Sequence, residues 1–426
     1  MRHGRAWIVP RWSLVAEAPI QDARRHSRPT REAGLMSRQA LYPDQAAVSG
    51  VMPNLAEIPG GYSHIRAPSA KSDRMEGLTG LRAIAALWVV GFHYSFGAFA
   101  SLYPQGSLHV IRLGYLGVDL FFTLSGFVIW HVHAADFHQP TMTVFRRFMG
   151  LRLARLYPVY LFTLLLFVLI VVLGPLLGDP SFNPKNYEPG QFLVDLLMLQ
   201  SWGLTSHLNW NYPAWSVSAE MFCYILFPFL ALGLRRLNNI LVISGAVVLP
   251  LALAACYWTI FGHTMNVTLG GPVLVRAAVE FTEGCLLRRI VDVVPVRRIH
   301  WTVPILAMIA ATEAMFVVQS RIADFMPVLI FPFVILAAST RANSIGRLAS
   351  SKPFVLVGAA SYSLYLMQAP VEKGARFLLA YVAHGTALEC TAAVFGYIAI
   401  LGISTALVHR YVENPSRRSL RKLVAA

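Results

Sequence analysis

Arg82 and His93 bracket ten residues that are all apolar or glycine, in the stretch RAIAALWVVGFH. At about 100° per residue, eleven positions make three turns to within roughly 20°, so both side chains leave one helix face, separated by about 16 Å of rise. A charge near mid-bilayer costs about 2.5–3.5 kcal/mol on insertion scales, so an ionisable residue inside an apolar run is a candidate for function by default. Arg82, His93, Asp119, Glu220, Arg276, Glu280, Glu283 and Glu313 all lie in such runs. His93, Asp119 (in GYLGVDLFFTLSGF) and Glu220 (in NWNYPAWSVSAEMFCY) fall at similar depth in three different segments. Three titratable groups at one level could line a common polar cavity. The alternative is that each is half of a structural pair locking helices together.

Such positions require membrane helices to carry them. The 426 residues are 56% hydrophobic and only 13% charged, about half the charge of an ordinary soluble domain. Apolar runs of about 20 residues recur, each long enough to cross a bilayer. We expect an all-α polytopic protein with ten spans, near 78–98, 114–133, 156–174, 214–233, 239–258, 272–290, 303–319, 326–339, 354–372 and 388–409. Residues 1–74 differ: they are rich in Arg, Pro, Ser and Gly, have no signal-peptide apolar core, and read as a disordered basic cytoplasmic arm. Met75 opens the apolar part, so the arm is also readable as a mis-called extension, with 75–426 the transmembrane domain.

The net charge of +15 does not indicate nucleic acid, because most arginines flank apolar runs as topology signals. With both termini cytoplasmic, the inner loops hold Arg146, Arg147, Arg152 and Arg155; Arg235 and Arg236; Arg288, Arg289, Arg297 and Arg298; Arg341, Arg347 and Lys352; and Arg417, Arg418, Arg421 and Lys422. The outer loops hold only Arg112, Lys185, Arg321, Lys373 and Arg376. The longest outer segment, 179–213, is too short for a separate domain, so an outside ligand must meet the membrane-embedded body.

Several further features have plain readings. Ser216, Glu220 and Tyr224 recur at one-turn spacing and, with Trp215, form a polar stripe suited to acceptor binding, site orientation or a buried structural carboxylate. Arg276, Glu280 and Glu283 share a face as a self-neutralising pair with a spare acid. His131, His133 and His138 lack partner ligands, and no metal is expected. Cys223, Cys256, Cys285 and Cys390 are far apart in or beside apolar runs and read as small packing residues. No phosphate-cradling glycine loop, serine elbow or zinc-protease motif is present.

At its motifs the sequence resembles the integral membrane acyltransferase-3 family over about 77–418. GLRAIAALWVVGFH has the family's Arg, ten residues, His pattern; GVDLFFTLSGFVI matches its second-helix signature; RRFMGLRLARLYPVY carries Arg-x-x-Arg as Arg152 and Arg155. NYPAWSVSAEMFCYILFP matches the Trp-Ser-x-x-x-Glu block, GAASYSLYLMQAPV (with Tyr362 and Gln368) the ninth-helix block, and RYVENPSRR the closing motif. Members often have His where this chain has Gln368, and glutamine cannot titrate near neutrality.

The resemblance implies transfer of an acyl group, commonly acetyl, from cytoplasmic acyl-CoA to a hydroxyl of a glycan or small molecule across the inner membrane. It implies His93 as general base, Asp119 as its orienting partner, and Glu220 as a third site carboxylate. Arg82, Arg152 and Arg155 would contact the CoA phosphates, although simple positive-inside topology also accounts for Arg152 and Arg155. Trp215, Ser216, Tyr224, Tyr362 and Gln368 would line the substrate site. An acyl-His relay is a second route. Competing readings are a transporter gated by the same charges, for which no inverted repeat is evident, and a non-catalytic member of a polysaccharide synthesis complex.

Overall fold

The computed structural model describes residues 70–96, 109–178, 187–208, 210–261, 265, 267–317, 325–382 and 387–425. The arm expected at 1–74 lies outside these except for 70–74. By contacts the chain divides at Ile65/Arg66, and the described residues all belong to the second unit.

The described residues contain no strand. Their helices are α1 (Ala70–Phe96), α2 (His109–Arg112), α3 (Gly117–His133), α4 (Met142–Leu176), α5 (Pro189–Leu196), α6 (Trp215–Arg235), α7 (Asn239–Phe261), α8 (Gly271–Val293), α9 (Thr302–Val317), α10 (Met326–Ala338), α11 (Ser344–Ala349), α12 (Lys352–Ala359), α13 (Ser361–Val382), α14 (Ala387–Val408) and α15 (Asn414–Ala425). Every apolar run expected to span coincides with a helix, except that the ninth is two helices, α12 and α13, bent by 64°. Among the described residues, five helices are long and apolar enough to cross a membrane, or six with that bent pair counted as one span. The protein is therefore all-helical with several apolar spans.

The bundle is knit most closely where α3 meets α8. Gly126 and Gly284 allow this approach: a Cβ added at either would lie 1.9 Å from a carbonyl oxygen of the facing helix, that of Phe281 or Thr123. Between membrane helices, where lipid tails are as apolar as leucine, such backbone proximity supplies the packing energy. Cys285 donates to the Gly126 carbonyl at 3.4 Å. On the other side of α3 lies α1, itself surrounded by α10, α11, α12 and α13. Helix α15 lies along α4, joined to α14 through a π-helical turn, His409–Glu413.

The segment 187–214, between α4 and α6, folds back onto both. Tyr160 of α4 donates to the Asp195 carbonyl. Gln200 donates to the Tyr160 hydroxyl (3.1 Å) and the Ala214 carbonyl (3.0 Å), and Asn211 donates to Thr163 (2.9 Å). Burial pushes the Asp195 carboxyl up to about 7.

Two outcomes test this packing. Gly284→Val forces α8 off α3 and is expected to abolish a monodisperse, cooperatively unfolding protein in detergent. Gly233→Ala, where an added Cβ meets nothing within 4 Å, is expected to be neutral. Asp195 ionises first in the unfolded chain, so folded stability falls as pH rises from about 4 to about 7 and is level above that. Asp195→Asn is expected to remove that slope, its gain in melting temperature over wild type growing from pH about 4.5 to about 7.5.

Candidate functional site

Two cavities meet at Arg82 of α1, Val128 of α3 and Arg155 of α4, which line both. The wider has a volume of about 440 Å³, and its polar lining is Thr79, Arg82, His133, Arg152, Arg155, His409, Asn414, Arg417 and Arg421. Among the described residues no carboxylate lines it. The narrower, about 70 Å³, runs between α3, α6 and α13 and is lined by Ser125, Ser216, Glu220, Ser361, Tyr362 and Tyr365 among apolar side chains.

Each polar wall has a local cause. Arg152 and Arg155 project from the first half of the long helix α4, whose N-terminus is capped when Thr141 accepts from the Val144 amide at 3.3 Å. One Arg152 nitrogen donates to His133 Nε2 at 3.0 Å, while His133 Nδ1 donates to Asp136 at 2.9 Å. That pattern requires a neutral imidazole with its proton on Nδ1. Glu220 accepts from Ser125 at 2.7 Å and from Tyr224 one turn along α6. Tyr362 donates to the Leu156 carbonyl at 2.7 Å, tying α13 to α4. At the far end Ser216 donates to Tyr365 (2.8 Å) and Tyr365 to the Pro213 carbonyl (2.7 Å), closing the narrow cavity.

His93 lies beyond that closure. Its Nδ1 pairs with the Val89 carbonyl at 2.9 Å, so the ring donates from Nδ1 and Nε2 carries an available lone pair; among the described residues nothing bonds to it. The ring centroid is 5.3 Å from that of Tyr212, the residue before Pro213. Tyr212 donates to Glu372 at 2.9 Å, and Glu372 is paired with Arg376 at 2.6 Å. Ser361, Tyr365, Gln368, Glu372 and Arg376 fall within a strip of about 80° along α13. This stripe runs from the narrow cavity to the Tyr212–His93 contact. Gln368 is 1% exposed, and neither amide atom has a partner among the described residues.

The expected common cavity of His93, Asp119 and Glu220 is not formed by either cavity described: Glu220 lines the narrow one, and His93 and Asp119 line neither. Asp119 is not the partner of His93: it accepts a bidentate pair from Arg276 of α8, both side chains 1% exposed or less. An unanswered guanidinium in a membrane helix claims the nearest carboxylate on a facing helix, and that is Asp119. Arg276 also donates to the Met265 and Val267 carbonyls, and its own helix neighbour Glu280 is more distant at 3.8 Å. The expected pairing within α8 is thus secondary to the link between helices. Glu220 is not beside His93 either, but lines the narrow cavity with Arg82 and Arg155. Trp215 packs edge-on against Phe122, and neither Trp215 nor Tyr224 is among the residues lining the two cavities. Sequence reasoning treated Arg417 and Arg421 as topology signals, and did not single out Tyr212, Glu372, Ser125 or Glu413. The closing motif RYVENPSRR was the available signal for Glu413 and Arg417; nothing local distinguished the others.

A polytopic helical protein with an arginine-walled cavity narrowing into its core is the class these observations define. The family model described as "Acyltransferase domain" matches residues 75–409, and the chain belongs to that family. It is 36% identical over 160 residues to the acyltransferase MdmB of Streptomyces mycarofaciens, covering 36% of this chain and 38% of that protein. It is 33% identical over 190 residues to protein 2 in the picA locus of Rhizobium radiobacter, covering 42% and 93% respectively. Against the peptidoglycan O-acetyltransferase OatA of Listeria monocytogenes it is 26% identical over 328 residues, covering 69% of this chain and 49% of that protein. The chain thus spans well under two thirds of the length of MdmB and OatA. No solved structure matches it.

The Asp119–Arg276 assignment has a thermodynamic test. Asp119→Asn leaves a buried guanidinium under-answered and is expected to cost about 3–5 kcal/mol, read as a lowered unfolding midpoint. Asp119→Leu combined with Arg276→Met is expected to recover most of that loss; a double variant as unstable as the sum of the singles would reject the pair.

Proposed function

We propose that this chain is a membrane O-acyltransferase that moves an acyl group, in the simplest case acetyl, from cytoplasmic acyl-CoA to a hydroxyl of a carbohydrate or other extracytoplasmic acceptor. The acceptor class is supported by the relative named as a peptidoglycan O-acetyltransferase. In this reading the chain crosses the inner membrane ten times with both termini in the cytoplasm, so that the arginine-lined cavity opens inward.

One observation carries the proposal: a cavity walled, among the described residues, by five arginines and no carboxylate narrows, at Arg82 and Arg155, into a slot that ends one residue from Tyr212, against which His93 packs. Phosphates suit the wide end, because guanidinium groups bind them bidentately. A thin pantetheine arm suits the narrow end. The acceptor hydroxyl would approach His93 from the opposite side, where Tyr212, Glu372 and Arg376 lie.

The chemistry then follows from the tautomer. With its proton on Nδ1 directed to the Val89 carbonyl, His93 offers Nε2 to the acceptor hydroxyl. As the hydroxyl oxygen attacks the thioester carbonyl, Nε2 takes its proton. The tetrahedral intermediate collapses with loss of the thiolate, and the imidazolium returns the proton to sulfur. A new C–O bond replaces the C–S bond, and no external proton is needed. A positioned base of this kind is worth roughly 10²–10⁴-fold. Reaching this geometry requires the Ser216–Tyr365–Pro213 closure to open, because His93 is outside the narrow cavity while it is shut.

The decisive experiment reconstitutes purified protein in vesicles with radiolabelled acetyl-CoA and an oligosaccharide acceptor. His93→Ala is expected to lower transfer by at least about 10²-fold while binding of CoA persists. Transfer at wild-type rate in that variant would remove His93 from the mechanism. Tyr365→Phe breaks the closure's bond to Pro213 and is expected to raise hydrolysis of acetyl-CoA without acceptor.

A further inference from the structure

On sequence, three of the five arginines around the wide cavity, Arg82, Arg152 and Arg155, are assigned to the donor. The other two, Arg417 and Arg421, come from the last helix, α15, four residues apart and therefore on one face. Their neighbours Arg418 and Lys422 are rotated by about 100° from them and are not among the lining residues. The phase of α15 is set by the π-helical turn His409–Glu413 that precedes it; π turns insert a residue into a helix and recur at functional sites. This turn is anchored. Glu413, 5% exposed, accepts from Ser363 of α13 at 2.6 Å and pairs with His409 at 2.8 Å.

The electrostatics are one-sided. Among the described residues, Arg82, Arg155, Arg417 and Arg421 make no hydrogen bond or salt bridge to a protein group, and Arg152 has a buried Nε without a partner. The nearby carboxylates are turned elsewhere: Glu413 to His409 and Ser363, Glu220 to Ser125 and Tyr224, Asp136 to His133. A guanidinium forgoes protein partners in a lined cavity when a ligand anion answers it. Arg82 and Arg155 stand at the narrowing, close to where the thioester arm must pass. Arg417 and Arg421 stand at the open end.

We propose that Arg417 and Arg421 bind the phosphates of the donor's nucleotide end, making α15 the wall that distinguishes a nucleotide-bearing thioester from a bare pantetheine thioester. This rests on the donor reading given above. Glu413 is a positioning residue for that wall: its bonds to Ser363 and His409 hold the turn that aims the two arginines.

The test measures the dissociation constants of CoA and pantetheine for the purified full chain in neutral-lipid nanodiscs by calorimetry. Arg417→Gln with Arg421→Gln is expected to weaken CoA by about tenfold or more, the loss of one charge-assisted hydrogen bond at least, and to leave pantetheine unchanged. The double Lys variant is expected to recover part of the loss, and thermal unfolding establishes that both variants are folded. Arg418→Gln with Lys422→Gln, on the other face, is expected to match wild type. In turnover the Gln pair raises KM for acetyl-CoA with kcat retained. CoA affinity equal to wild type in the Gln pair overturns the proposal. So does a change confined to nanodiscs containing anionic phosphatidylglycerol, which would assign these arginines to lipid headgroups. If wild type itself binds no CoA, the donor reading fails and this inference fails with it; if wild type binds and the Gln pair binds equally, only this inference fails.

Discussion

A guanidinium inside a hydrocarbon slab has to be answered from within the protein, and how each buried arginine is answered organises this molecule. Arg276 is answered completely, by the two oxygens of Asp119 and by carbonyls of the segment before its own helix. That bond ties α8 to α3 at a crossing where two glycines already bring the backbones to their closest approach. With α3 immobilised against α8, its other faces are free to build a site: Ser125 and Val128 on the cavities, and the flank that receives α1. Among the described residues, the arginines on the opposite side of α3 form no ion pair with a carboxylate. One bundle thus holds two kinds of cation, one paired within the architecture and one without an ion pair among the described residues.

The division explains why charge alone does not mark function in a membrane helix. Asp119 and Arg276 satisfy each other's desolvation, so their pair stabilises through what would be lost on breaking it. Arg82, Arg152 and Arg155 have no such closure. Their cost is tolerated because the cavity, about 440 Å³, has room for solvent, and because α4, α13 and α15 are fixed around it by Tyr362 on Leu156 and by Glu413 on Ser363. The polar strip of α13 continues this logic outward, from Ser361 in the narrow cavity through Tyr365 and the unpartnered Gln368 to Glu372. Glutamine at 368 places a donor and an acceptor along that strip without a titrating proton.

The sequence by itself determined that the chain is helical and membrane-embedded, where its helices lie, and that Arg82 and His93 share a face, since apolar run length and the 3.6-residue period are local properties of the chain. It also made Arg152 and Arg155 visible beside Arg82, because a motif carries its own spacing. Which acid faces which base was beyond it. Asp119 and Glu220 sit at suitable depths to join His93, yet one lies opposite Arg276 and the other opposite Arg82 and Arg155, because depth along a helix fixes level but not azimuth between helices. Tertiary packing alone decided that azimuth, through the glycine contact of α3 with α8. It likewise decided that α15, after a π turn, presents Arg417 and Arg421 to the cavity and turns Arg418 and Lys422 away.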